Sequence, residues 1–241
     1  MNALKTLMRM MISLILTLAA VTAQAANPPI DVRDVLKNFR TEGPKGWSFT
    51  QSTTAEGRTV VERYDSAQPE FNRWTLLTED GRAPNEEGQR RYRDKFSHYS
   101  STGTAPQLSD QIEYTSLVTE NETAERITYR GRLKPTEKED RTALFLRAMI
   151  VWHKASGTIE SLVIESTAPF APSFGVKIEQ MQTTMSYSLP TPEHPSLLQS
   201  VVTRLRGKAF WVKSIDADMT VTYSAYVSTS ASHPDRPTPK P

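Results

Sequence analysis

Hydrophobic and polar residues alternate along most of the chain after residue 46, which is the period of a half-buried β-strand. The last segment shows this pattern most clearly. Apolar or small residues occupy every second position there, at Ala217, Met219, Val221, Tyr223, Ala225 and Val227. Polar residues lie between them, so the segment predicts a strand with one buried and one solvated face. Along the whole chain the pattern predicts about nine to eleven strands.

Two segments have the period of a helix instead. Val32, Val35, Leu36 and Phe39 follow the i, i+3, i+4, i+7 spacing and predict a helix from Asp31, which can cap it, to about Arg40. The segment Glu86–Phe96 has its acidic residues first and its basic residues later, as the helix dipole favours. Its only large apolar residues are Tyr92 and Phe96, so this second helix can bury only a thin stripe.

Three segments raise specific questions about the strands. Leu144–His153 is the most apolar run outside the first 25 residues, and periodicity alone does not distinguish a buried strand from a short helix. In Val176–Leu189 the apolar positions change face after Ile178, which predicts a bulge or a strong bend. Gly207-Lys208 lies between two apolar segments and predicts a hairpin turn.

These elements together predict a mainly β fold with a few helices. Strands and helices do not alternate as they do in a parallel α/β fold. We therefore expect one curved antiparallel sheet that forms an open half-barrel, in a single domain spanning residues 26–227.

The first 25 residues have a different character. Lys5 and Arg9 precede an apolar run over residues 10–21, and Ala23-Gln24-Ala25 supplies small residues where a signal peptidase cleaves. This pattern predicts a secretory signal peptide over residues 1–25 and a periplasmic protein. At the other end, residues 228–241 contain four prolines and no large apolar residue, which predicts a disordered tail.

Composition narrows the functional classes. Lys5 and Arg9 leave with the predicted leader, which brings the 29 basic residues of the chain level with its 27 acidic ones. A balanced charge argues against a nucleic-acid partner. The chain has no cysteine, and after the leader no apolar run is long enough to span a membrane. No cofactor is predicted.

No catalytic motif stands out in the sequence. A Gly-x-Ser-x-Gly elbow, a Ser-x-x-Lys pair and a His-Glu-x-x-His helix do not occur, and none of the four histidines is spaced as a metal-binding pair with another. We therefore predict a protein without catalytic residues or a metal site. A hydrolase built on two carboxylates remains an alternative, because the chain is rich in Asp and Glu.

The segment from Trp47 to Leu77 carries a family resemblance. Phe49-Thr50-Gln51 matches an F-x-Q strand, and Val61-Glu62-Arg63, Pro69 and Phe71-Asn72-Arg73-Trp74 match a V-x-R-P…F-x-W passage. In these motifs the chain resembles the periplasmic lipoprotein-carrier family that includes LolA and LolB. The resemblance implies an open half-barrel with helices on its concave side and a hollow that holds acyl chains. Its implied partner is a lipoprotein or another hydrophobic ligand.

The same resemblance gives Arg63 a role. It matches the arginine that holds the helical lid over the hollow in the carriers, and a guanidinium can bond several backbone carbonyls of a covering helix. The alternative is that Arg63 is a solvated residue on the polar face of a strand.

Two late strands supply the candidate ligand-binding residues. Thioether side chains adapt to irregular apolar surfaces, so a cavity for flexible chains favours methionine. The candidates for the lining of the hydrophobic cavity are Met181, Met185, Tyr187, Met219, Val221 and Tyr223. The alternative is a filled core, in which case the protein would be a non-catalytic structural or interaction protein of the cell envelope.

Overall fold

The computed structural model describes residues 32–39, 46–98, 112–135, 141–210 and 213–229. Within these residues the helices and strands are α1 (Val32–Asn38), β1 (Trp47–Ala55), β2 (Arg58–Tyr64), β3 (Trp74–Glu79), α2 (Glu86–His98), β4 (Ile112–Glu122), β5 (Arg126–Leu133), β6 (Leu146–His153), β7 (Thr158–Ser166), β8 (Phe170–Ser173), β9 (Val176–Tyr187), β10 (Leu198–Ala209) and β11 (Lys213–Ser228). Two 3-10 turns, Glu70–Asn72 and Thr142–Phe145, precede β3 and β6. The predicted leader and the capping residue Asp31 lie outside the described residues, as do residues 230–241 of the predicted tail.

All eleven strands belong to one antiparallel sheet. Its order is β3-β2-β1-β11-β10-β9-β7-β6-β5-β4, and β8 pairs with β9 beside this path. The sheet is curved and does not close, which confirms the predicted mainly β fold with few helices and a curved, open antiparallel sheet. The first strand pairs with the last, so that Gln51 lies opposite Tyr223.

Helix α1 packs on one face of this sheet, which we call the inner face. Val32 and Leu36 are 5% and 0% exposed, and Val35 and Phe39 pack beside them, which confirms the predicted apolar stripe. Strands β4 to β7 complete this core with side chains that alternate along each strand, as a half-buried sheet requires. The largest fully buried ones on these strands are Ile112, Ile150, Ile159 and Leu162.

Helix α2 contributes polar contacts to the other half of the sheet. Gln89 Nε2 donates to the backbone carbonyl of Leu76 at 2.7 Å, and Tyr92 reaches a side chain on β2. Gly88 N donates to Asn85 Oδ1 at 2.8 Å, so the Asn85 side chain satisfies one of the free N–H groups at the start of this helix.

The bulge predicted in the long strand β9 is present. Gly207 lies opposite Ile178 and Arg206 lies opposite Gln180, which leaves Glu179 as the extra residue. An extra residue reverses the faces of the side chains that follow it. The bulge therefore keeps Met181 and Met185 on the same inner face as Val176 and Ile178, although the apolar pattern in the sequence changes phase between them.

The predicted turn at Gly207-Lys208 is wrong. Strand β10 continues to Ala209 and pairs with β11 from Lys213 onward, and the turn residue that follows β10 is Phe210, whose φ is +49°. Close packing requires this glycine instead, since a Cβ there would clash with the backbone carbonyl oxygen of Lys177 on the neighbouring strand. Leu144–His153 combines both structures that the sequence allowed, a 3-10 turn up to Phe145 followed by strand β6.

Candidate ligand-binding face

The six candidate residues all lie on the inner face of the sheet. Residues directly opposite each other in a sheet share a face. Met185 on β9 lies opposite Val201 on β10, and Val201 lies opposite Val221 on β11. The other candidates follow at alternate positions on β9 and β11, at Met181, Tyr187, Met219 and Tyr223. Strand β10 separates the two strands that carry them.

Burial differs among these six side chains. Tyr187 and Val221 are 5% and 7% exposed, whereas Met181, Met185, Met219 and Tyr223 are half-buried. Tyr187 belongs to the core under α1, where its ring meets the ring of Phe39 at 5.1 Å and its hydroxyl donates to Met185 Sδ at 3.6 Å. Burial, helped by the neighbouring Tyr223 and Tyr226, raises the pKa of Tyr187.

An aromatic cluster continues this band across β11, β1, β2 and β3. The Phe49 ring lies 5.0 Å from Tyr64, 5.5 Å from Tyr223 and 5.9 Å from Trp74, measured between ring centres. Tyr226 joins the cluster at 5.7 Å from Phe49. Offset and edge-to-face ring pairs at these distances stabilise each other beyond their buried area.

A backbone irregularity brings Tyr226 into this cluster. The register of β1 with β11 shifts between Ser48 and Thr50, and Ala225 has a φ of +50° there. The Tyr226 hydroxyl donates to the backbone carbonyl of Leu198 on β10. Burial raises the pKa of Tyr226. Phe49 and Trp74 were visible in the sequence motifs, but the register shift that adds Tyr226 leaves no signal in the sequence.

Beside the aromatic rings lies a polar site around Glu62. Tyr92 Oη donates to Glu62 Oε1 at 2.6 Å, and Gln51 Nε2 donates to Glu62 Oε2 at 3.1 Å. Gln51 lies opposite Tyr223, so Glu62 also faces the inner side of the sheet. Burial, together with the hydrogen bond to Glu62 and its charge, raises the pKa of Tyr92 well above its usual value. One end of the apolar band therefore offers carboxylate and phenol groups.

Arg63 lies on the opposite face of the sheet. Its Nη1 donates to Thr50 Oγ1 at 3.4 Å and to the carbonyl of Ala225 at 3.5 Å, and both acceptors belong to strands. Among the described residues its partners are therefore strand groups, not groups of α1 or α2. The role of Arg63 in holding a lid stays a prediction.

Two clefts in the described part of the chain lie away from the six candidates. One of about 410 Å³ is formed by β8, the turn into β9 and Lys208. The other, of about 520 Å³, lies between the β2–β3 hairpin and the start of α2, with Arg58, Glu79, Asp80 and Arg91 on its walls. The inner-face band is thus a surface of half-buried side chains beside a packed core, and neither cleft belongs to it.

No group of three or more His, Asp or Glu side chains in the described ranges is arranged to hold a metal ion. His153 Nδ1 bonds to Ser156 Oγ at 2.8 Å, and His194 Nδ1 lies 3.1 Å from the carbonyl of Pro195. Neither of the two helices in the described ranges is long and apolar enough to cross a membrane.

Comparisons of this chain with family models, with curated proteins and with solved structures gave no match.

Proposed function

We propose that this protein is a non-catalytic periplasmic binding protein that carries an acyl chain, a lipoprotein or another hydrophobic ligand on the inner face of its sheet. One observation carries the proposal. Methionine, valine and tyrosine side chains on β9, β10 and β11 form a half-buried apolar band that continues into the Phe49 aromatic cluster. A sheet face that contacts only water usually carries polar side chains, so an apolar band that is only half-buried favours a ligand or partner that covers it.

The chemistry of the band suits a flexible apolar ligand. Met181, Met185 and Met219 can adjust their thioethers to chains of different shape, and the Phe49 cluster offers flat ring faces. Glu62 and Tyr92 lie at the end of the band next to that cluster and can bond a hydroxyl or amide of the ligand's head. The signal peptide predicted at residues 1–25 supports the periplasm as the compartment.

A second candidate function follows from the two clefts. Neither of them lies at the six inner-face residues, which fits a band covered by another envelope protein rather than by a small ligand. In that case the protein would be a structural or interaction protein of the envelope. The experiment below distinguishes these two functions.

Thermal unfolding of the delipidated protein tests the ligand. A ligand that binds only the folded state stabilises it by about 2.7 kcal/mol at a hundredfold excess over its Kd, which raises Tm by about 5 °C or more in a domain of this size. We expect palmitate or a lysophospholipid to produce this shift. No shift with either ligand at saturating concentration would contradict the carrier function and favour the second candidate.

A pair of neighbouring variants locates the ligand on the sheet. Met219 is half-buried on the inner face, and Thr220 lies next to it on the opposite face and is exposed. Met219→Gln should weaken ligand binding about tenfold, because it places an amide against the apolar chain. Thr220→Gln is the matched control and should leave binding unchanged. Equal effects of the two variants would place the ligand elsewhere.

A further inference from the structure

Two exposed phenylalanines lie in neighbouring turns at one end of the sheet. Phe174 is 87% exposed in the turn between β8 and β9, and Phe210 is 63% exposed directly after β10. Phe210 N donates to the carbonyl of Gly175 at 2.6 Å. A Cβ on Gly175 would lie 2.8 Å from the Phe210 ring, so the ring covers this glycine closely. The two turns are thus held together, with both rings at the surface.

A third apolar side chain lies at the same end of the sheet. Leu144 is 70% exposed in the 3-10 turn before β6. That turn packs against β8, where the rings of Phe145 and Phe170 stack at 5.9 Å. We call Leu144, Phe174 and Phe210 the apolar tip. Large apolar side chains grouped at a surface mark an interaction site more often than single ones do.

Three lysines lie on the strand ends next to Phe174 and Phe210. Lys177 on β9 lies directly opposite Lys208 on β10, and Lys213 begins β11 opposite Ala209. Like charges directly opposite each other in a sheet are destabilising, so this arrangement does not serve the fold. An acidic group, Glu179, approaches the Lys208 ammonium at 3.6 Å. Lys177 and Lys208 also border the cleft of about 410 Å³ whose walls include Phe170, Phe174 and Val176.

We propose that this end of the sheet docks onto the surface of a lipid bilayer that contains anionic phospholipids. Aromatic rings favour the membrane–water interface, where the apolar tip would enter the headgroup region. Lysines near an anionic surface are attracted to its phosphates, and Lys177, Lys208 and Lys213 would bind there. The combination of exposed rings and unbalanced positive charge favours such a surface over an apolar protein partner. The proposal does not depend on a ligand on the inner face.

Vesicle binding tests this docking. The probes are vesicles of phosphatidylethanolamine with phosphatidylglycerol and, as a comparison, vesicles of phosphatidylcholine alone. We expect binding to the anionic vesicles that weakens when salt is added. Phe174→Ser combined with Phe210→Ser should reduce the partition coefficient about tenfold or more. Lys177→Gln and Lys213→Gln should each reduce it about fivefold.

Matched controls lie on other parts of the surface. Phe71 is 68% exposed on the 3-10 turn before β3, at the opposite end of the strands, so Phe71→Ser removes an equivalent ring. Arg90 is an exposed cation on α2, so Arg90→Gln removes an equivalent charge. Both controls should bind vesicles as the unmodified protein does. Because all variants share one N-terminus, binding through residues 1–25 would not separate them.

A labelling experiment locates the contact directly. The chain has no cysteine, so Phe174→Cys and Phe71→Cys each create a single site for an environment-sensitive fluorophore. On anionic vesicles the label at position 174 should shift to the blue and the label at position 71 should not. These labelled proteins also serve if the double phenylalanine variant does not fold.

The vesicle-binding and labelling results together decide whether the apolar tip docks onto a membrane. Loss of vesicle binding in the tip variants but not in the controls, with a blue shift at position 174, supports the proposal. Absence of vesicle binding overturns it, and so does binding with the label at position 174 still in water. Crosslinking of position 174 to an envelope protein without vesicle binding also overturns it, in favour of a protein partner. The ligand test on Met219 is independent of all these outcomes.

Discussion

A single row of inner-face side chains crosses the sheet from Leu162 on β7 to Val60 on β2. It passes through Met185, Val201, Val221 and Thr53, each directly opposite the next. Leu162 is 1% exposed under α1, whereas Val60 at the other end is half-buried. The same pairing geometry thus supports a dry core in one half of the sheet and a partly solvated face in the other.

The two helices explain this difference. Helix α1 offers Val32, Val35, Leu36 and Phe39 on one stripe and fills the space above β4 to β7 and β9. Helix α2 instead reaches the sheet through polar groups, with Tyr92 bonded to Glu62 and Gln89 bonded to the backbone of Leu76. Among the described elements, the sheet face beneath the broad apolar stripe of α1 is a dry core, and the face that α2 reaches through polar groups stays half-buried.

The largest expected effect compares the two ends of the row. Leu162→Ala should lower the free energy of unfolding by about 3 kcal/mol, because it leaves a cavity in a core that cannot collapse. Val60→Ala removes fewer atoms from a half-buried site and should cost about 1 kcal/mol. Urea unfolding measures both. Similar losses for the two variants would mean that the two halves are equally well packed.

An intermediate effect separates two tyrosine hydroxyls. At neutral pH Tyr92→Phe should cost about 1 kcal/mol, since it removes a hydrogen bond to a carboxylate. Tyr187→Phe should cost less, because its hydroxyl donates only to a thioether. Tyr64→Phe, in the Phe49 aromatic cluster, is the control for the loss of a hydroxyl. A larger loss of unfolding free energy for Tyr187→Phe than for Tyr92→Phe would contradict this ranking of the two hydrogen bonds.

The dependence of stability on pH in the alkaline range tests the burial of Tyr187 separately. Burial raises the pKa of Tyr187 in the folded state, so its contribution to stability is complete below about pH 10 and is lost as the pH rises above that value. Above this pH each such tyrosine adds a loss of about 1.4 kcal/mol per pH unit. Tyr187→Phe should reduce that slope, measured as unfolding free energy at several pH values. An unchanged slope would show that Tyr187 ionises in the folded state.

The smallest expected effect compares two ion pairs. Arg126 holds Glu160 through two bonds of 2.7 and 3.2 Å, and their side chains are 43% and 30% exposed. The pair of Arg58 with Glu79 is more exposed, at 65% and 50%. Glu160→Gln should cost about 0.5 kcal/mol, whereas Glu79→Gln should cost nothing measurable.

The dependence of stability on acidic pH tests the ion pair between Arg126 and Glu160 independently. The hydrogen bond from Arg126 lowers the pKa of Glu160 in the folded state. The stability from this carboxylate is therefore present above about pH 4.3 and is lost as the pH falls through its lowered pKa. Glu160→Gln should lose less stability on acidification than the unmodified protein. Identical acid branches would show that the pair contributes nothing.

Much of the fold could be predicted because local patterns determine it. The apolar stripe of α1, the strand pattern of β11 and the change of face at Glu179 all follow from the spacing of side chains within one segment. A glycine followed by a lysine resembles a turn locally, so the sequence predicts at Gly207 a turn that the structure does not have. The real constraint on this glycine is the carbonyl of Lys177 on a neighbouring strand, which no local pattern reveals.

In the candidate site, too, features set within one strand could be predicted and features set by neighbouring strands could not. The alternation within β9 and β11 placed all six candidates on one face. Two features could not be predicted, because both depend on which strands become neighbours. Pairing of β1 with β11 brings Phe49 to Tyr223, and pairing of β9 with β10 brings Gly175 to Phe210. The role of Arg63 is a prediction that the family resemblance implies, and the face that Arg63 occupies depends on the sheet register.

The pairing of β1 with β11 has a consequence for biogenesis. Trp47 lies opposite Ser228, so the first strand can pair with the last one only after nearly the whole chain has been synthesised. Contacts so distant in sequence form slowly, because a long loop must close before they are made. Until then strands β1 to β3 can pair only with one another. A chain truncated before Lys213 would lack the strand that joins them to the rest of the sheet.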